Sequence, residues 1–127
     1  MAKAYNAVVY DNGLNYFKNN CDKIIVTDGV PNINDYAATV GMKAAEASVT
    51  AATFTIAANG AGRKISHGAV DGTVTASTSG NNDLHIAYLD TTNSTVLAIT
   101  DETTNQPLTA GNPVTFPPIE YKFNAPV

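Results

Sequence analysis

The stretch Leu84-His85-Ile86-Ala87-Tyr88-Leu89-Asp90 alternates large apolar side chains with smaller or polar ones. An alternation with a period of two predicts a β-strand that turns one apolar face toward a core and leaves the other face, including His85, to solvent. The same period recurs around Phe54 and along residues 119–123. These stretches predict a core that is built from β-strands.

The composition of the whole chain favours the same structure. Thr (16) and Asn (14) together account for 30 of the 127 residues. Thr prefers strands because its branched side chain is already restricted, whereas Asn favours turns. Short extended segments recur at the spacing of an antiparallel β-sandwich. The predicted strands cover residues 24–27, 43–49, 53–57, 63–67, 73–77, 84–89, 95–100, 114–116 and 119–123. The predicted sandwich core comprises Phe54, Ile56, Leu84, Ile86, Val96, Ile99, Phe116 and Tyr121.

The connections between the predicted strands contain the residues that tight turns require. They are Asn59-Gly60, Asp71-Gly72, residues 79–82, residues 90–93 and Ala110-Gly111-Asn112. Pro117-Pro118 cannot donate to a central ladder, so we expect the last strand to begin after them or to run along a sheet edge. Hairpins are therefore the expected linkage.

One short helix is predicted near the start of the chain. Asp11 is a plausible N-cap, and Leu14, Phe17 and Cys21 follow at helical spacing, with Asn19-Asn20 as the expected end. Residues 1–10 lack a clear period and are expected to form an extended arm. The predicted organisation is an N-terminal arm, residues 1–10, and a single mainly-β domain, residues 11–127; residues 30–36 are expected to be irregular.

Charge and composition exclude several classes of partner. The chain is 44% hydrophobic and 14% charged, and its formal net charge is −4, so it is too apolar to be disordered by composition. No basic run is present, which argues against nucleic acid and against an anionic membrane as partners. No apolar run spans a bilayer and no signal-like stretch follows Met1, so we expect synthesis in a cytoplasm.

Two segments superficially suggest a binding site. Residues 59–64 place glycines before Arg63-Lys64, but the spacing does not match a phosphate-binding loop, and a hairpin turn explains the same residues. Asp83 and His85 share one face of a strand, and His67 is the other histidine of the chain. Metal ligands could converge there, but the sequence shows no recognised ligand spacing, so no metal site is predicted.

The potential nucleophiles of the chain do not indicate a catalytic site either. Ser66 and His67 are neighbours in a strand and therefore point to opposite faces. Cys21 lies on the apolar stripe of the predicted helix, which is typical of a small buried hydrophobe. Asp101-Glu102 lies in a polar loop and is expected to be solvated. We therefore predict no catalytic, cofactor-binding or metal-binding residues, and no enzyme activity.

Five stretches of the chain, taken in order, carry a family resemblance. They are Gly13-Leu14-Asn15-Tyr16-Phe17-Lys18-Asn19-Asn20, Phe54-Thr55-Ile56-Ala57, Gly62-Arg63-Lys64-Ile65, residues 84–90 and Leu108-Thr109-Ala110-Gly111-Asn112-Pro113-Val114. They resemble the opening segment, the successive strands and a late turn of a family of small structural proteins of tailed bacteriophages. The chain departs from the family at Cys21-Asp22-Lys23 and at Pro117-Pro118-Ile119, which affects the expected packing of the end strands.

This resemblance implies a virion component, namely a capsid decoration or cement protein on the outer surface of the phage head, with the major capsid protein as its partner. We expect a homo-oligomer, a trimer at a local three-fold position, because symmetric repetition adds the avidity that one small copy lacks. One alternative is a tail-tube, tail-completion or fibre-associated β-module. The other is a small carbohydrate- or metal-binding module, for which Tyr36, Tyr88 and Tyr121 are the available stacking residues.

Overall fold

Nine strands and two α-helices occur in the computed structural model, which describes residues 6–101 and 105–124. The helices are α1 (Ala7–Asn20) and α2 (Tyr36–Gly41), with a 3-10 turn at Ala51–Thr53. The strands are β1 (Lys23–Asp28), β2 (Lys43–Ser48), β3 (Phe54–Asn59), β4 (Gly62–His67), β5 (Val70–Val74), β6 (Leu84–Asp90), β7 (Thr95–Thr100), β8 (Pro113–Phe116) and β9 (Ile119–Phe123).

The strands form two antiparallel sheets that make a β-sandwich. The large sheet has the order β7-β6-β1-β2-β5-β8, and the small sheet has the order β3-β4-β9. The predicted mainly-β fold with a short N-terminal helix is confirmed. The chain passes from the large to the small sheet at Pro117-Pro118, and β9 runs along an edge of the small sheet, as the two prolines predict.

The sandwich interior lies between the two sheets and α1. Leu84, Ile86 and Tyr88 of β6 are at most 1% exposed there, and Phe54 and Phe116 are also buried. Ile56 and Tyr121 pack against this cluster with part of their surface exposed. Six of the eight predicted core residues therefore contribute to the sandwich interior.

The outer face of the large sheet is also covered, contrary to the prediction that each strand has one apolar face. Helix α2 places Tyr36 and Val40 against a second cluster formed by buried residues of β1, β6 and β7. Every residue of β6, including His85, is buried. Val96 and Ile99 pack in this outer cluster, so their predicted place in the sandwich core is wrong. The pairing of β6 with β7 shifts register between Tyr88 and Leu89, within the stretch where these two residues turn to the outer face.

Helix α1 begins four residues before the predicted N-cap. The side chain of Asn6, not Asp11, accepts a hydrogen bond from Val8 N and caps the helix. Tyr10 is 8% exposed and extends the buried stripe of Leu14 by one turn. Residues 7–10 are therefore helical rather than an extended arm, whereas residues 1–5 of the predicted arm lie outside the described residues. The predicted end at Asn20 is confirmed, although Cys21 leaves the helix in an extended conformation.

Three other local predictions are wrong. Tyr36, the last residue of the predicted irregular stretch at residues 30–36, is instead the first residue of α2, which Asp35 caps by accepting from Ala38 N. Asp71-Gly72 is not a turn but lies inside β5, which is shifted toward the N-terminus relative to the predicted strand at 73–77. A Cβ on Gly72 would lie 2.4 Å from the carbonyl oxygen of Glu46, so glycine there permits a close approach to β2.

Candidate functional site

The glycine-rich segment at residues 59–64 forms the β3–β4 hairpin, as predicted. Gly60 adopts a φ of 58°, which suits the turn. Arg63 forms two hydrogen bonds with the carboxylate of Asp11 on α1, the shorter being 2.8 Å, and Lys64 Nζ lies 2.8 Å from Glu120. Both cations are therefore paired with carboxylates and tie this hairpin to its neighbours.

The two histidines lie in different environments. His67 points into the sandwich interior, where its Nε2 lies 2.6 Å from the hydroxyl of Tyr88. Its neighbour Ser66 is partly exposed on the other face of β4, as the strand period predicts. His67 and Ser66 therefore do not form a nucleophile–base pair, and His67 is a hydrogen-bonded core residue.

His85 lies instead in a polar cluster with Asp83 and Asp101. Its Nδ1 is 3.0 Å from the backbone oxygen of Asp83, and its Nε2 is 3.7 Å from Asp101 Oδ1. The sequence interpretation paired Asp83 with His85 and missed Asp101, which it assigned to a solvated loop. Asp101 is indeed exposed, and Glu102 lies outside the described residues. The register of the β6–β7 hairpin is the signal that could have found Asp101.

Cys21 is a buried thiol at the junction of α1 and β1. Burial raises the pKa of this thiol to about 12. Sγ donates a hydrogen bond to the Lys23 carbonyl oxygen. A thiol with such a pKa stays protonated at neutral pH and is a poor nucleophile. The prediction that Cys21 is buried is confirmed.

The three tyrosines considered for sugar binding do not form a stacking platform. Tyr88 is fully buried, and its ring lies 5.4 Å from that of Tyr121 in an edge-to-face arrangement inside the core. Tyr36 packs on the opposite face of the large sheet. The rings of Tyr88 and Tyr121 are thus used for packing, and the large sheet separates them from the ring of Tyr36.

Exposed apolar side chains gather where α1 meets the end of β9. Val9, Tyr16 and Phe123 are between 44% and 60% exposed, and we call them the α1–β9 patch. Val9 and Tyr16 are seven residues apart and share one side of the helix. The ring of Phe123 lies 6.2 Å from that of Tyr10, which brings β9 beside the first turns of α1.

An apolar groove adjoins the patch. It has a volume of about 240 Å³ and is lined by side chains of α1, β4, β7 and β9, including Tyr16, Leu97, Tyr121 and Phe123. Large exposed apolar side chains beside such a groove are typical of a surface that contacts another protein. The place of Val9 in this surface was not predicted because residues 1–10 were expected to form an arm; the helical spacing of Tyr10 and Leu14 is the signal that could have revealed it.

Among the described residues, no helix has the length and apolar character needed to cross a membrane. Comparisons with models of protein families, with curated proteins and with solved structures find no match for this chain.

Proposed function

We propose that this chain is a structural protein of a tailed-phage virion, a decoration protein that binds the outside of the head and reinforces the boundaries between capsomers. The proposal rests on the resemblance in sequence and on the exposed apolar surface. Its partner is the major capsid protein. Neither nucleic acid nor a membrane is part of the proposed role.

The resembling stretches support the proposal because they coincide with the elements that build the fold. Residues 13–20 lie in α1, residues 54–57 in β3, residues 62–65 in β4 and residues 84–90 in β6, while residues 108–114 lead into β8. The resembling segments are thus spread over the helix and both sheets of the sandwich and are not confined to one loop. The resemblance therefore favours a common architecture with the phage structural proteins.

The α1–β9 patch is the single structural observation that carries the proposed binding mode. Val9 and Tyr16 are exposed on one side of α1, and Phe123 lines the same groove as Tyr16. Burying these side chains against a capsomer would contribute about 25 cal/mol for each Å² of apolar area removed from water. A decoration protein needs such a contact surface and does not need an enclosed catalytic pocket.

Repetition supplies the affinity that one copy lacks. A small domain can offer each neighbour an interface of about 800 Å² per partner, which is the standard size. We propose that copies associate as trimers at local three-fold positions, so that three modest contacts act together on the shell. The combined contacts would oppose the outward pressure of the packaged DNA.

Co-sedimentation with heads assembled without this protein tests the proposal. Val9→Glu and Tyr16→Glu place a charge in the α1–β9 patch. Glu is a good helix former, and at Val9, in the first turn of α1, a negative charge is also favourable. Val30→Glu and Ile33→Glu are matched controls, because these residues are 67% and 46% exposed on the loop between β1 and α2.

We expect the wild-type chain and both controls to sediment with heads, and both patch variants to remain in the supernatant. Equal binding of patch variants and controls would show that the patch is not the attachment surface. Binding of the wild-type chain to isolated tails, and not to heads, would favour the tail-module alternative.

A further inference from the structure

Asp83, His85 and Asp101 converge at the open end of the β6–β7 hairpin. Ile86 pairs with Thr100 in this hairpin, so the next residues outward, His85 and Asp101, are cross-strand neighbours. Asp83 precedes His85 by two residues and shares its side of the chain by the strand period. One ligand atom from each of the three side chains lies within 4.8 Å of the others.

The hydrogen bonds of His85 leave one ring nitrogen available as a ligand. Nδ1 lies 3.0 Å from the backbone oxygen of Asp83, which can only accept, so Nδ1 donates and Nε2 of the neutral ring carries a lone pair. A backbone carbonyl that fixes Nδ1 is the usual partner of a metal-binding histidine. His85 is 8% exposed, and the ring is therefore held in place by its surroundings.

The available nitrogen faces a carboxylate without forming a hydrogen bond to it. Nε2 of His85 and Oδ1 of Asp101 are 3.7 Å apart, which is longer than a hydrogen bond. Two ligands of one tetrahedral zinc ion, each about 2.0–2.2 Å from the metal, lie about 3.3–3.6 Å apart. The Asp101 side chain is 62% exposed and can close the small difference. Asp83 Oδ1 lies 4.0 Å from the other ring nitrogen, Nδ1, and the Asp83 side chain is 52% exposed, so it can turn toward Nε2.

We propose that Asp83, His85 and Asp101 bind one divalent transition-metal ion of the zinc class, with solvent completing its coordination. An imidazole nitrogen with two carboxylates favours zinc, cobalt, nickel or manganese over calcium and magnesium, which prefer an all-oxygen set. The inference does not rest on the proposed virion function, because it uses only the geometry of these three side chains.

A bound ion would stabilise the edge of the large sheet by linking the end of β7 to the start of β6. Asp101 directly follows the edge strand β7, and Asp83 directly precedes β6. The side chain of Asn105 already accepts a hydrogen bond of 2.8 Å from Leu84 N, so the chain beyond Asp101 returns to the same place. Metal binding to the folded state alone would raise the thermal midpoint, since the ligands are not assembled in the unfolded chain.

Titration of the full chain with zinc chloride in metal-free buffer tests this inference. The chain has two histidines, so the ring signals in a two-bond ¹H–¹⁵N spectrum distinguish His85 from the core residue His67. We expect zinc to shift the ring signals of His85 with saturation at one equivalent, to leave those of His67 unchanged and to raise the thermal midpoint. The chelator EDTA should reverse both effects.

Variants assign the ligands. His85→Gln should abolish the rise in thermal midpoint, and Asp101→Asn should weaken zinc binding by about tenfold or more. Asp71→Asn is the matched control, because Asp71 is an exposed carboxylate on β5, and it should bind zinc like the wild-type chain. If His85→Gln does not fold, Asp101→Asn and the wild-type ring spectrum still decide. Unchanged His85 signals at a large excess of zinc, or equal binding by Asp101→Asn and Asp71→Asn, would overturn the proposal.

Discussion

The ring nitrogen Nε2 of His67 lies 2.6 Å from the hydroxyl oxygen of Tyr88, and this contact joins the small sheet to the large one. Nδ1 of the same ring lies 2.6 Å from the carbonyl oxygen of Gly68. Because a carbonyl can only accept, Nδ1 donates to it, and in the neutral ring Nε2 then accepts from the tyrosine hydroxyl. Both ring nitrogens of a buried histidine are thereby satisfied in a neutral state.

Tyr88→Phe should lower the free energy of unfolding by about 1–3 kcal/mol, because it leaves the buried Nε2 of His67 without a donor. Urea denaturation followed by circular dichroism measures the loss. Tyr16→Phe is the control, since Tyr16 is 53% exposed, and it should change stability by less than about 0.5 kcal/mol. Equal stabilities of the two variants would contradict the assigned role of the His67–Tyr88 contact.

Gly72→Ala should destabilise the protein by about 1–3 kcal/mol or more, because the new Cβ would lie 2.4 Å from the Glu46 carbonyl oxygen and 2.9 Å from the Phe116 ring. Thermal unfolding compared with that of Gly68→Ala tests this. A Cβ on Gly68 meets no atom within 4 Å, so this control should be nearly neutral. A neutral Gly72→Ala would mean that β2 and β5 are farther apart than described.

Cys21 should resist alkylation in the native protein, because burial raises the pKa of its thiol to about 12. Iodoacetamide at pH 8 should leave the folded chain unmodified and label one thiol after denaturation, as intact mass spectrometry would show. Rapid labelling of the folded chain would contradict the burial of this side chain.

Glu46 should stabilise the fold at neutral pH and lose that effect in acid. Hydrogen bonds from Lys43 and Lys23 lower the pKa of its carboxyl. The stabilisation is therefore fully present above the ordinary glutamate pKa of about 4.3 and disappears as the pH falls through the lower native value. Glu46→Gln should lower the free energy of unfolding by about 0.2–1 kcal/mol at pH 7, since Glu46 and its two lysine partners are partly exposed. At strongly acidic pH the substitution should leave the free energy of unfolding unchanged. A cost that does not change with pH would contradict this assignment.

Strand positions were predictable where the sequence has a clear period. The strands β7 and β9 match their predicted ranges, and the turn at Gly60 follows from its dipeptide. These features depend on neighbours in sequence, which the period of two and the turn preferences describe. The burial of Tyr10, one turn before Leu14, was missed because Asp11 is as suitable an N-cap residue as Asn6, which caps the helix.

Other features depend on contacts between distant segments. His85 was expected to face solvent but is 8% exposed, and α2 packs on the outer cluster of the large sheet. Asp101 joins His85 only through the register of β6 with β7. Gly72 was assigned to a turn because Asp-Gly favours one, whereas the close approach of β2 requires glycine within the strand. None of these causes is visible in a local stretch of sequence.

A reconstruction by electron cryo-microscopy of phage heads, with and without this chain, tests the decoration role most directly. We predict extra density of the size and shape of the β-sandwich on the outer head surface, with the α1–β9 patch facing the capsomers and three copies around each local three-fold. Isolated monomers would contradict the trimer alone. Identical heads in the two reconstructions, or density confined to the tail, would contradict the proposed function.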